Sequence, residues 1–232
     1  MHRVVWRRFG FQNLLFWLFV ALVVNPFLSE VPYSRFIFQF ILTIVLICAI
    51  FTIHKEKGIL GLAVTLLSLS FVFHWLGIFG VIRYSGAIGS LIMVLYLAIL
   101  VYSFFRVIIS STKVTFSLIC ATICLYLIIG LLWGTIFSLL ESLAPGSFSG
   151  GVLDHAGSFE ERLQSFIYFS FITLTTLGYG DITPQTQGAG ALCQAEAIIG
   201  QFFMAILVAR LVSMYGFEKK SREYVQFRKE ER

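Results

Sequence analysis

Apolar residues run through this chain in long unbroken blocks, and polar residues collect between the blocks. Charge-free stretches cover Phe9–Ser29, Phe36–His54, Gly58–Ile82, Tyr84–Phe105 and Val114–Leu140. A sixth, Ile182–Ala209, is interrupted only by Glu196, and its helical part is predicted to begin near Ala189. About 18 apolar residues in a helix cross a hydrocarbon layer of roughly 30 Å, so the pattern predicts six spanning helices. The fifth and sixth are separated by ESLAPGSFSGGVLDHAGSFEER, whose serines, glycines and proline predict an exposed loop. Next comes Leu163–Thr176, apolar but too short to span, which predicts a re-entrant helix.

The end of that short segment breaks the pattern. TTLGYGD, Thr175–Asp181, sets two glycines around one tyrosine and closes on an acid. Glycines at that spacing disfavour helix. Non-helical backbone at membrane depth persists only where protein buries it or where it lines a watery cavity. Glycine also reaches backbone conformations closed to residues with a Cβ. Alternating glycines therefore let successive carbonyls face the same way. Several such strands around one axis would stack rings of carbonyl oxygens, which can replace the hydration shell of a cation.

Composition excludes a water-facing surface. Charged residues make up 12% of the chain and hydrophobic ones 58%, against about 25% charged in soluble domains. The net charge of +5 matters less than its placement. With the N-terminus in the cytoplasm, the inner side holds Arg3, Arg7, Arg8, Lys55, Lys57, Arg106, Lys113 and seven bases from Arg210 onward. The outer side holds Arg35, Arg83 and Arg162. Fourteen against three is a positive-inside pattern with both termini cytoplasmic, and it places the long acidic loop outside. Bases at the ends of apolar runs do not form a nucleic-acid patch. Cys48, Cys120, Cys124 and Cys193 lie inside apolar runs and read as packing residues, with no disulfide framework. No Ser/His/Asp arrangement, His/Cys metal spacing or phosphate-cradling loop is visible, so neither an enzyme nor a cofactor is expected. The first apolar run is longer than a signal-peptide core and lacks a small-x-small cleavage site, so it is expected to stay as a helix.

The run Thr173–Pro184, TLTTLGYGDITP, resembles the selectivity filter of potassium channels, with Leu177 where their TVGYG loop has valine. The resemblance covers about residues 114–216; over 1–113 it extends only to the number of preceding spans. It implies an all-α membrane protein with six transmembrane helices, a re-entrant pore helix and a filter loop. It also implies a pore made by a homotetramer in membrane lipid, expected to be a bacterial inner membrane. Potassium would be the permeant ion. Thr176 would offer hydroxyl and carbonyl at the inner end of the filter, and Leu177, Gly178 and Tyr179 would offer carbonyls. Gly180 would close the outer end. Thr175 and Asp181 would support the filter and its mouth, and the Tyr179 ring would brace the strand from behind. The implied organisation is a four-helix region over 1–113, a pore domain over 114–217 and a short charged tail over 218–232.

Several residues keep two readings. Thr173 and Thr175 also suit local bonds that satisfy the short helix. Gly200, in the middle of the sixth span, reads either as an inner-helix hinge or as a close-packing site. Glu196 reads either as an entrance residue or as the buried partner of a polar group. His74 and Trp75 suit an interface, and His155 beside Asp154 suits a solvated pair or a pH-sensing one. A non-selective cation channel, a cation transporter subunit and a non-conducting membrane sensor are the rival functions. Between Arg83 and Arg106 the fourth span carries no charge, so no voltage sensor built on an arginine ladder is expected.

Overall fold

The computed structural model describes residues 2–24, 27, 40, 42–49, 57–78, 85–112, 114–154 and 157–230, and the side chains of 2–9, 24, 57, 58, 74, 75, 77, 78, 85, 211 and 214–230 lie outside that set. Helix α1 (His2–Phe19) continues into a π-helical turn at Val20–Val24. A helical stretch at 42–49 (α2) precedes α3 (Lys57–Ile78), α4 (Ser85–Ile109) and α5 (Phe116–Leu143). Strand β1 (Phe148–Ser149), α6 (Gly151–Asp154), α7 (Phe159–Leu174), β2 (Thr183–Pro184) and α8 (Gln187–Glu230) complete the order.

Among the described residues, three helices are long and apolar enough to cross a membrane: Gly86–Ile109, Phe116–Leu143 and Gln187–Arg210. Gly10–Val23 and Ile59–Phe73 are shorter apolar helices at the sites of the first and third predicted spans. Most of the second predicted span lies outside the described residues, as do His155 and the side chains of His74 and Trp75. The last helix passes through position 217 without a break, so no change in backbone separates its apolar part from the charged segment after it.

Polar caps decide where the helices of the second half begin. Thr115 Oγ1 accepts from Leu118 N at 3.2 Å and starts α5. Ser158 Oγ accepts from Glu161 N at 3.2 Å, while Glu161 Oε2 takes Gly157 N at 2.8 Å. This reciprocal Ser-x-x-Glu arrangement starts α7 four residues before the predicted Leu163, because a cap rather than the first apolar residue begins a helix.

One apolar core joins α1 to α5 and reaches α7 through Leu163, Ile167 and Leu174. Buried polar groups cross between helices inside it. Tyr96 Oη donates to Leu46 O at 2.7 Å, and Ser70 Oγ to Gly89 O at 3.1 Å. Such pairing removes the penalty of an unmatched polar atom in an apolar core. Helix α5 packs closely on α7. It uses Gly130 and Gly134, one turn apart, where a Cβ would meet Phe171 or Ile167. A glycine-x-x-x-glycine face lets two helices approach without intervening side chains.

Candidate functional site

The segment after α7 leaves the helix with its backbone hydrogen bonds still made. Thr175 N and Thr175 Oγ1 both donate to Phe171 O, at 3.0 and 2.6 Å. Thr176 N donates to Thr173 O at 3.0 Å, and Leu177 N to Ile172 O at 2.9 Å. Gly178 N approaches the same Ile172 oxygen at 3.4 Å. The terminal carbonyls of α7 are therefore engaged by the loop that follows. What remains directed below the loop is the partial negative end of the helix dipole. Thr173 and Thr175 follow the local reading, since Thr173 Oγ1 bonds Phe169 O at 2.9 Å.

The loop then alternates in hand. Thr176, Gly178 and Gly180 have φ of +58°, +57° and +76°, while Leu177 and Tyr179 between them do not enter the positive region. This is the alternation that same-facing carbonyls need, and for Thr176 it carries a backbone cost of about 1–2 kcal/mol. At Gly178 and Gly180 a Cβ would meet nothing within 4 Å. Conformation, not crowding, is what asks for glycine there. Residues 175–180 are exposed within the chain, including 55% of Leu177 and 67% of Tyr179. The expected bracing of the strand by Tyr179 is thus not made within one chain.

On the outer side the loop is anchored. Tyr168 Oη donates to Asp181 Oδ2 at 2.7 Å, and Asp181 Oδ1 accepts Ile182 N at 3.1 Å. Asp181 thus ties the end of the loop to the flank of α7. The long loop is not merely exposed. It pairs Phe148 with Pro184 and Ser149 with Thr183, and Gln185 N donates to Ser147 O at 2.8 Å. Glu141 shapes its first turn by accepting Gly146 N at 2.8 Å and Phe148 N at 3.0 Å. Phe148 then sits among Phe137, Phe166 and Phe169, with ring centroids 5.2–5.7 Å away. Edge-on aromatic pairs of this kind add about 0.5–1.5 kcal/mol each beyond burial.

Gly150 completes that clamp. A Cβ there would collide with the Asp181 carbonyl and crowd Ile182 Cα, whereas one at Gly151 meets nothing within 4 Å. Gly150→Ala is expected to destabilise the packing of residues 147–150 on 181–185 by about 1–3 kcal/mol, with Gly151→Ala close to neutral. Hydrogen exchange of residues 181–185 in the purified variants checks this. Equal protection in both would remove Gly150 from the clamp.

On the inner side, α8 passes under the end of α7. A Cβ at Gly200 would lie 2.5 Å from Leu174 O and 2.9 Å from Leu174 Cδ1. This favours the close-packing reading of Gly200. Tyr126 Oη reaches the same carbonyl at 3.5 Å, and its ring stacks on Phe203 at 5.7 Å. Gln201 Nε2 approaches Thr176 Oγ1 at 3.4 Å, which puts an amide beside the inner end of the loop. Glu196 is fully buried, with Ser170 Oγ 2.5 Å from its Oε1, and so takes the buried-partner reading.

Tyr168, Ser170, Gln201, Gly150 and the pair Gly130/Gly134 were not singled out from the sequence. Only the two last, one turn apart in GLLWG, and the Ser-x-x-Glu cap carry a local signature. Ser170 and Gln201 acquire meaning only when α8 meets α7 and its loop, and Tyr168 and Gly150 only when Asp181 is folded back against them.

Comparison with known proteins points the same way. Residues 121–216 match the family described as "Ion channel". The chain is 38% identical over 69 residues to two pore potassium channel c of Oryza sativa subsp. japonica, covering 30% of this chain and 14% of that protein. It is 32% identical over 77 residues to Protein LctB of Geobacillus stearothermophilus, covering 33% of this chain and 57% of that one. The matches thus span about a seventh and somewhat over half of these relatives, and residues 1–120 lie outside the family match. Together with its apolar helices, the match marks an integral membrane protein with an ion channel domain over residues 121–216.

Proposed function

We propose that the chain is one subunit of a homotetrameric, six-span, potassium-selective channel that conducts passively. The observation that carries this reading is the alternation of positive φ at Thr176, Gly178 and Gly180 in an exposed loop at the C-terminus of a short helix. In this reading the carbonyls of Thr176, Leu177, Gly178 and Tyr179, with the Thr176 hydroxyl, replace the water around potassium. Gly180 ends the path, and Thr175, Tyr168 and Asp181 hold it.

One loop supplies one wall, so a path needs several chains. The uncovered Leu177 and Tyr179 then pack against neighbouring copies. Ala205 and Ala209, exposed on α8, allow inner helices to approach. The potassium channel named among the relatives lends weight to potassium as the ion. Native mass measurement in mild detergent is expected to give a tetramer, and single-channel recording of that species gives the ion. A conducting monomer would overturn the arrangement. A tetramer that passes no current in lipid bilayers would make the chain a sensor or accessory subunit instead.

The four-helix region is not a voltage sensor in this reading. Along α4 the basic residue is Arg106, exposed in the last turn with its guanidinium 5.9 Å from the Tyr102 ring centre. Moving one charge across the field is worth about 2.3 kcal/mol per 100 mV, and steep gating takes 3–4 charges per subunit. Open probability in symmetrical potassium is therefore expected to change only shallowly with voltage. A slope equivalent to roughly ten or more charges per tetramer would contradict this.

A further inference from the structure

We propose that Glu196 is a positioning residue for the ion path, holding the inner helix to the pore helix through Ser170. The proposal rests on reading residues 175–181 as the filter. Glu196 and Ser170 are both 0% exposed. Ser170 Oγ lies 2.5 Å from Glu196 Oε1 and 2.8 Å from Gly130 O. A carboxyl, a hydroxyl and a backbone carbonyl thus join α8, α7 and α5 at one point. Among the described residues, Glu196 Oε2 has no hydrogen-bond partner. A buried acid in a membrane segment is expensive to keep and marks a functional position unless its partner explains it.

The contact lies where it bears on the loop. Ser170 is two residues before Ile172, whose oxygen receives Leu177 N and Gly178 N. Glu196 is one helical turn before Gly200, which meets Leu174 O. The inner helix therefore touches the pore helix at two points a turn apart, 196 on 170 and 200 on 174. The second is a backbone contact, and the first is the polar one that fixes rotation and height. The Ser170 hydroxyl has a single proton and two acceptors beside it. It can satisfy Gly130 O and Glu196 together only when the side chain at 196 donates in return. A glutamine can always donate there; an alanine never can. If Glu196 acts as a donor to Ser170, glutamine replaces it and alanine does not.

The test uses the full-length tetramer with Glu196→Gln, Glu196→Ala, Ser170→Ala and the double alanine variant. Two quantities are read: the potassium-to-sodium permeability ratio, and hydrogen exchange of the Leu177 and Gly178 amides. Glu196→Gln is expected to match the parent in both. Each alanine variant is expected to lower the permeability ratio about tenfold and to speed exchange of those amides by a similar factor, with the double variant no worse than either single one. Wild-type permeability and exchange in Glu196→Ala would overturn the proposal, and so would independent, additive effects of the two alanine changes. A parent without potassium selectivity, combined with faster exchange in both alanine variants, would remove the filter reading and leave the positioning role standing.

Discussion

Gly178→Ala is expected to collapse potassium selectivity while leaving the surrounding helices folded. Gly178 has a φ of +57°, and a Cβ built on it meets nothing within 4 Å. The penalty is therefore in the backbone: about 1–2 kcal/mol per residue held in the left-handed region, or about 4–8 kcal/mol over four copies. The cheapest relief is rotation of the adjoining peptide, which in each copy turns one carbonyl away from the path and so strips one ring. Helix content and melting of the α5–α7–α8 packing are expected to change little, because no side chain of the core touches this position. Circular dichroism and reversal potentials on the same preparation check both halves of the expectation. Retained selectivity in the alanine variant would mean that the positive φ is not what the ion path depends on.

Gly134→Ala is expected to act in the opposite way, on the scaffold first. A Cβ at Gly134 would lie 2.7 Å from Ile167 Cα and 3.0 Å from Ile167 N, so the pore-helix backbone itself has to move. At Gly130 the obstacle is the Phe171 ring, 2.5 Å away at Cε1, and a ring can turn. Overpacking that only backbone motion can relieve costs about 1–3 kcal/mol and sometimes more. Gly134→Ala should therefore melt earlier than Gly130→Ala and lose current, since α7 carries the loop on its end. Thermal unfolding in detergent ranks the two. A reversed order would place the limiting contact on the aromatic ring rather than on the backbone.

The two kinds of glycine show what could be read from sequence. The loop glycines stand out because they interrupt an apolar run at a spacing no helix favours, and the interruption alone marks the non-helical segment between Leu174 and Ile182. The long apolar blocks likewise predicted α5 and the apolar part of α8, since length and hydropathy are local properties. Gly134 and Gly150 are different. Each is required because another segment passes within contact distance, and that depends on folding. The Tyr168–Asp181 bond is also non-local, joining residues 13 apart across a turn of the chain. Glu196 stayed undecided between an entrance and a buried position because a single acid in an apolar helix looks the same in both. Ser170, 26 residues earlier, is what decides it. The start of α7 precedes the apolar run by four residues for the converse reason: the local Ser158 cap, not apolar periodicity, sets where the helix begins.

Potassium selectivity is tested most directly by the reversal potential of the purified protein in a lipid bilayer with a tenfold potassium gradient and sodium making up equal ionic strength. A path that admits potassium and excludes sodium should reverse near the potassium equilibrium, about 59 mV per tenfold gradient for a single charge. Reversal at 0 mV, with sodium passing as freely as potassium, would contradict it.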